Sequence, residues 1–187
     1  MSKPLEGLFV LDLTRVLAGP FCTMLLCDMG ATVVKVERPD GGDDSRSFSP
    51  FVGEESAYFM SINRGKKSIT LNLKTAEGKN LLERLIERAD VLVENFRPGV
   101  FEKLGFPDER LREINPRLIY TCSSGFGHSG PMSRRTAYDL IIQGLSGMMS
   151  ITGPDEENPT KVGSSIADIF CGTFACIGIL AALQSRN

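Results

Sequence analysis

At 187 residues, 42% of them apolar and 24% charged, the chain has the composition and length of one globular domain with a sizeable core, which excludes disordered and fibrous classes. Lysine and arginine total 21 against 23 acids, a formal net charge of −2, so bulk charge asks for neither nucleic acid nor an anionic membrane, and an anionic ligand must be met by a local cluster. Five irregularly spaced cysteines (22, 27, 122, 171 and 176), no Cys-x-x-Cys pair and one histidine support neither a disulfide framework nor a zinc site, and with no signal or presequence pattern at the start the expectation is a reduced, cytoplasmic protein holding no metal.

Residues 7–14 form a short apolar run bounded by Gly7 and Thr14 and predict a buried strand. A Gly-Pro turn leads into a predicted helix over 21–29, with Pro20 near its first turn and Gly30 just past its end, and a second strand follows over 31–37. Strand, helix and strand within about 30 residues make a βαβ unit and imply a parallel sheet. Residues 38–46 are a polar Gly/Asp/Pro loop. The densest basic patch, Asn63-Arg-Gly-Lys-Lys-Ser68, runs into an alternating strand over 69–73. Apolar residues at 81, 82, 85, 86 and 89 give the 3.6-residue period of an amphipathic helix over 75–89.

Further strands are predicted over 90–94 and 117–122, with short helices over 100–104 and 108–114 between them and a helix over 137–149 after them. The alternation defines an α/β fold, with basic or amide-bearing loops following strands at Arg38, at Arg64 with Lys66 and Lys67, at Lys74, and at Asn95 with Arg97. If these share one edge of the sheet, the ligand they suit carries phosphates. Taken singly, each is an ordinary solvated charge. Gly125-Phe-Gly-His-Ser-Gly130 matches the dinucleotide fingerprint literally, but no apolar helix follows it and no strand carries the required acid, so the dinucleotide reading fails and His128 reads as a surface residue.

The last stretch is the most informative. From Ile166 to Leu183 every residue except Asp168, Thr173 and two glycines is apolar or Cys, which predicts a helix buried on all faces with one carboxylate at its head. Ser165-Ile-Ala-Asp168 fits a capping box, and the pattern by itself favours that role. The alternative is a carboxylate waiting in a dry pocket as nucleophile or base. The run from Ile169 to Leu183 after Asp168 is 15 residues, short of the roughly 20 that a bilayer requires.

Residues along the whole chain resemble the family III CoA-transferases, which include formyl-CoA, carnitine and succinyl-CoA-dependent transferases and the related 2-methylacyl-CoA racemases. The resemblance rests on Pro4-Leu-Glu-Gly-Leu-Phe-Val-Leu-Asp-Leu-Thr14, Leu17-Ala-Gly-Pro20, Val36-Glu-Arg-Pro39, Asn63-Arg-Gly-Lys-Lys-Ser68, Gly125-Phe-Gly127, Ser129-Gly-Pro131, Ala137-Tyr-Asp-Leu140 and Ala167-Asp168. It implies a Rossmann-like, open, mostly parallel sheet flanked by helices. It makes Asp168 the nucleophile, passing through acyl-aspartyl anhydride and aspartyl-CoA thioester intermediates. It assigns CoA contacts to Val16, Leu17, Ala18, Arg38, Leu71, Asn72, Leu73, Lys74, Asn95, Phe96, Arg97 and Lys103, and an acyl pocket to Leu17, Phe48 and Tyr138.

CoA and acyl-CoA are then substrates, with a carboxylic acid as co-substrate and no permanently bound cofactor. Tyr138 stands where the racemases carry a histidine, which disfavours racemization. Leu17 and Phe48 stand where formyl-CoA transferases carry Gln and Trp, which argues against oxalate and leaves succinyl-CoA with another carboxylic acid as the preferred pair. Members are about twice this length, with a second small domain and a return of the chain, and form interlocked homodimers. The resemblance therefore reads residues 1–187 as the N-terminal, CoA-binding part of the large domain, inactive alone, with an inactive CoA-binding fragment or a racemase-like enzyme as the alternatives.

Overall fold

The computed structural model describes residues 3–186; Met1, Ser2 and Asn187, the ends of the expected 1–187 unit, lie outside the described residues. Five parallel strands form the sheet: β1 (Phe9–Asp12), β2 (Thr32–Glu37), β5 (Lys67–Thr70), β6 (Val91–Glu94) and β7 (Ile119–Cys122), in the order β5-β2-β1-β6-β7. Leu11 aligns with Val34 on one side and Leu92 on the other. The predicted open, parallel α/β architecture is therefore present.

Alternation along the strands divides the core in two. Val10, Val33, Val91 and Val93 face α1 (Ala18–Asp28) and α8 (Ile166–Arg186), while Leu11, Val36 and Leu92 face α3 (Ala76–Ile86), α4 (Val100–Lys103) and α5 (Asp108–Ile114). Helix α3 starts where Thr75 accepts the Gly78 N–H at 3.1 Å, an N-cap that orients its apolar stripe inward. Gly172 lets α8 approach α1 closely, since a Cβ there would lie 2.4 Å from the Ala18 carbonyl oxygen.

Several expectations are corrected. The strand predicted over 69–73 is Lys67–Thr70, because β2 ends at Glu37 opposite Thr70 and the pairing closes with the Leu71 N–H donating to the Glu37 carbonyl at 2.9 Å. A two-stranded hairpin of β3 (Phe51–Val52) and β4 (Glu55–Ser56), followed by α2 (Ala57–Asn63), occupies a stretch with no apolar period; Ser56 accepting the Phe59 N–H is the cap that marks the helix start. The helix predicted over 137–149 breaks into α6 (Asp139–Leu145) and α7 (Met148–Thr152), because Gly147 adopts a φ of +81°.

Helix α8 is not buried on all faces. At 21 residues with mean hydropathy 2.1 it is long and apolar enough to cross a bilayer by length and composition. Here Cys176, Ile179 and Leu183 pack inward, while Phe170, Phe174 and Ile177 lie on the surface, Phe174 at 68% exposure. At its far end Arg186 donates to the Asp90 carboxylate (2.8 Å) and the Arg117 carbonyl (3.0 Å), beside the starts of β6 and β7. The helix thus runs the height of the sheet and delivers Asp168 to the opposite, carboxyl edge.

Candidate active site

Two cavities open where β1, β2, β5, β6 and β7 end, the edge at which open parallel sheets receive ligands. The first, about 210 Å³, is lined by Ala18, Asn95, Phe96, Arg97, Ser123, Arg135, Tyr138, Asp168 and Cys171. The second, about 300 Å³, is lined by Arg38, Leu71, Asn72, Leu73, Lys74 and Phe96, with apolar Leu13, Val36 and Leu104. Phe96 lines both, so the cavities adjoin across its ring.

The CoA-contact set that the resemblance implies therefore divides: Arg38, Leu71, Asn72, Leu73, Lys74 and Phe96 line the second cavity, and Ala18, Asn95, Phe96 and Arg97 line the first with Asp168 and Tyr138. Val16, Leu17, Lys103 and Phe48 line neither. Leu17 is buried at the start of α1, and Lys103 is exposed on α4. Phe48 packs edge-on against Tyr58 with ring centroids 5.5 Å apart.

The loop of residues 15–18 is held rigidly. Asn95 accepts the Arg15 N–H and donates to the Arg15 carbonyl, each at 2.8 Å, so its amide serves the backbone between the cavities. Val16 has a φ of +69°, a strained setting for a β-branched residue, and its N–H donates to Asp43 at 3.1 Å. Glu37 fixes the next loop, accepting from Arg46 Nε and Nη2 at 2.7 Å each and from the Asp43 N–H at 2.9 Å. Burial would raise the Glu37 pKa, but the Arg46 hydrogen bonds dominate with Ser68 and bring it down to about 2.

The basic patch over 63–68 does not join these loops. Arg64 pairs with Asp28 at the end of α1, and Lys67 is exposed with no ion-pair partner among the described residues. Lys66 is buried: its ammonium contacts Asp12 Oδ2 (3.0 Å), the Pro20 carbonyl (3.0 Å) and Asn63 (2.8 Å). Asp12 and Lys66 beside the buried pair Lys35 and Asp43 (2.8 Å) form a four-charge cluster beneath the 15–18 loop. Burial opposes the Asp12 carboxylate, but Lys66, Lys35, Thr14 and Thr23 outweigh it and hold its pKa well below the usual range.

Asp168 lies in the first turn of α8, half-buried at the wall of the first cavity. The capping box is absent. The carboxylate takes no hydrogen bond among the described residues, and the Ala167 N–H at the helix start is taken by Asp139 Oδ1 of α6 at 2.8 Å. Burial first, and then the Asp139 charge, push the Asp168 pKa up to about 6. The phenol of Tyr58 on α2 is raised by burial first, and then by the charges of Asp168 and Asp43.

Tyr58, Asp139, Arg135 and Cys171 were not selected from the sequence; only Asp139, an acid opening a helix, left a local signal. His128 is exposed, as predicted. Its ring, the Cys122 thiol and the Glu94 carboxylate come within 4.8 Å of one another, a grouping the spacing did not reveal. Glu94 is already occupied by the Phe96 N–H (2.5 Å) and the Tyr120 hydroxyl (2.9 Å).

Fold and site together define a Rossmann-like parallel α/β domain whose carboxyl edge carries a half-buried carboxylate, unbonded among the described residues, beside two adjoining cavities. The chain belongs to CoA-transferase family III, whose family model matches residues 5–187. It is 50% identical to the acetyl-CoA:oxalate CoA-transferase of Acetobacter aceti, aligned over 98% of this chain and 48% of that protein. It is 53% identical to the succinyl-CoA:mesaconate CoA-transferase of Haloarcula marismortui (98% and 48%), and 49% identical to the mouse succinyl-CoA:glutarate CoA-transferase (98% and 42%). Among solved structures it superposes on a CaiB/BaiF family protein from Brucella suis with a TM-score of 0.95 at 46% identity, over 100% of this chain and 50% of that one. The chain thus spans about half the length of the relatives it matches.

Proposed function

We propose that these residues are the N-terminal half of a transferase that moves CoA from an acyl-CoA thioester, succinyl-CoA foremost, to a second carboxylic acid through Asp168. The single observation carrying this reading is the Asp168 carboxylate itself: half-buried, unbonded, and at the wall of a cavity adjoining one edged by Arg38 and Lys74. A carboxylate attacking a thioester carbonyl expels a thiolate, a good leaving group because thiols ionise near pH 8.5. The products are an acyl-aspartyl anhydride and free CoA thiolate. The thiolate returns to the aspartyl carbonyl, releasing the first acid and leaving aspartyl-CoA; the second acid then attacks that thioester, and CoA recaptures its acyl group. Each step exchanges one acyl bond for another and needs no outside reactant.

CoA must stay beside Asp168 throughout while water is excluded. Arg38 and Lys74 suit its phosphates, and the apolar wall of Leu71, Leu73 and Leu104 suits its less polar portions. Lys74→Ala is expected to weaken CoA binding about tenfold in calorimetric titration of the full-length polypeptide, with a smaller loss at high salt. Unchanged affinity would remove Lys74 from the CoA site. Tyr138 at the cavity rim and an exposed His128 outside both cavities leave Asp168 without a histidine partner among the described residues, which favours transfer over the racemase alternative.

We propose further that the second half of the polypeptide covers the exposed apolar face formed by Phe170, Phe174 and Ile177, with Leu145 and Ile151 nearby in sequence on α6 and α7, within a homodimer of cytoplasmic location. A coupled screen of carboxylic acids against succinyl-CoA, using full-length protein, tests the donor. Turnover with a dicarboxylic acceptor is the expected result, the isolated 187 residues run in parallel should give none, and no transfer from succinyl-CoA to any acid would refute the donor assignment.

A further inference from the structure

The helix that carries Asp168 starts without a cap of its own. An N-terminal helical carboxylate ordinarily folds back onto the free backbone N–H groups of the first turn, and the sequence around Asp168 invites that. The structure places a different acid there. Asp139, at the first position of α6, accepts the Ala167 N–H through Oδ1 (2.8 Å) and the Gln143 side-chain amide through Oδ2 (2.6 Å). Gln143, 1% exposed, in turn accepts the Val162 N–H at 2.8 Å, so the segment entering α8 is tied to α6 at two points, Val162 and Ala167.

We propose that Asp139 is a positioning residue for Asp168: by capping α8 from a neighbouring helix it fixes the first turn and leaves the Asp168 carboxylate without a backbone partner, free to attack. The inference rests on the function proposed above for Asp168, but the cap itself does not.

Asp139 has two separable effects. As a hydrogen-bond acceptor it holds the turn. As a charge it disfavours ionisation of Asp168, adding to burial in pushing that pKa up to about 6. A carboxylate of higher pKa is the stronger nucleophile once ionised, and the cost is protonation at mildly acidic pH. The other ionisable groups around Asp168 are Tyr58 of α2, Cys171 one turn further along α8, Tyr138 beside Asp139, and Arg97 and Arg135 from the cavity wall.

Two substitutions in the full-length polypeptide separate these effects, with hydrogen exchange of the peptide spanning residues 165–170 as a readout independent of turnover. Asp139→Asn keeps an acceptor for the Ala167 N–H while giving up the one for the Gln143 amide, so exchange should stay slow relative to Asp139→Ala while the acid limb of the kcat profile moves below its wild-type position near pH 6. Asp139→Ala removes the cap, so exchange should accelerate at least tenfold and kcat should fall 10- to 100-fold. Slow exchange in Asp139→Ala, or an unmoved acid limb in Asp139→Asn, would overturn the proposal. Were Asp139→Ala to unfold, Asp139→Asn still decides it. A fully active Asp168→Ala protein would instead sink the nucleophile reading and leave the exchange result standing.

Discussion

Asp168→Ala in the full-length polypeptide is expected to lower kcat for CoA transfer by on the order of 10⁴, with little change in CoA affinity. The residue forms both proposed covalent intermediates, and among the described residues lining the first cavity it is the one carboxylate: Cys171, whose thiol is held up mainly by burial, is protonated at neutral pH, and Tyr138 is largely exposed to solvent. Incubating wild-type protein with acyl-CoA and hydroxylamine should convert Asp168 to a hydroxamate, located by mass on the peptide that contains it, because hydroxylamine captures an anhydride or thioester but not a free carboxylate. Asp168→Asn should take no label. A variant with wild-type turnover, or label on any other residue, would remove Asp168 from the chemistry.

The largest stability effect is expected at Lys66. Its ammonium, 2% exposed, is the nearest cation to an Asp12 carboxylate that is itself fully buried. Lys66→Met keeps the volume and strands the acid, at a cost of about 3–5 kcal/mol. For a unit of this size that corresponds to roughly 8–15 °C in Tm. In the wild type the Asp12 pKa is depressed, so its contribution is fully present above the unfolded value near 3.9 and is lost as pH falls through the folded value. In the variant the stranded acid is expected to titrate above 3.9 and the sign reverses, so the gap between the two proteins should narrow on going from pH 7 to pH 5. A gap below about 1 kcal/mol that ignores pH would show Lys66 to be dispensable. The same cluster supports the 15–18 loop from below, so the variant should also raise the KM for acyl-CoA.

Much of the frame was legible in the chain. The strands at 7–14, 31–37, 90–94 and 117–122 and the helices over 75–89, 100–104 and 108–114 correspond to observed elements within a few residues, because their apolar periods reflect which face the sheet buries. What escaped was short or interrupted. The hairpin at 51–56 and the seven-residue α2 bury too little to leave a period, and a single glycine at 147 divides a helix whose composition reads as continuous. The error on α8 has a different origin: a uniformly apolar segment carries no phase, so it cannot say which side faces the core and which lies on the surface.

By itself the sequence determined the parallel α/β class, the presence of one acid at the head of an apolar helix, and the cations at Arg38 and Lys74 after successive strands, since each follows from local order along the chain. Only the tertiary structure decided what those groups do. It sent Lys66 inward to neutralise Asp12, spent the Asn95 amide on the Arg15 backbone, and gave the cap of α8 to Asp139, leaving Asp168 unbonded. The partners are separated by 54, 80 and 28 residues, respectively, and a hydrogen bond or ion pair over such distances is set by the packing of elements, which no local pattern records.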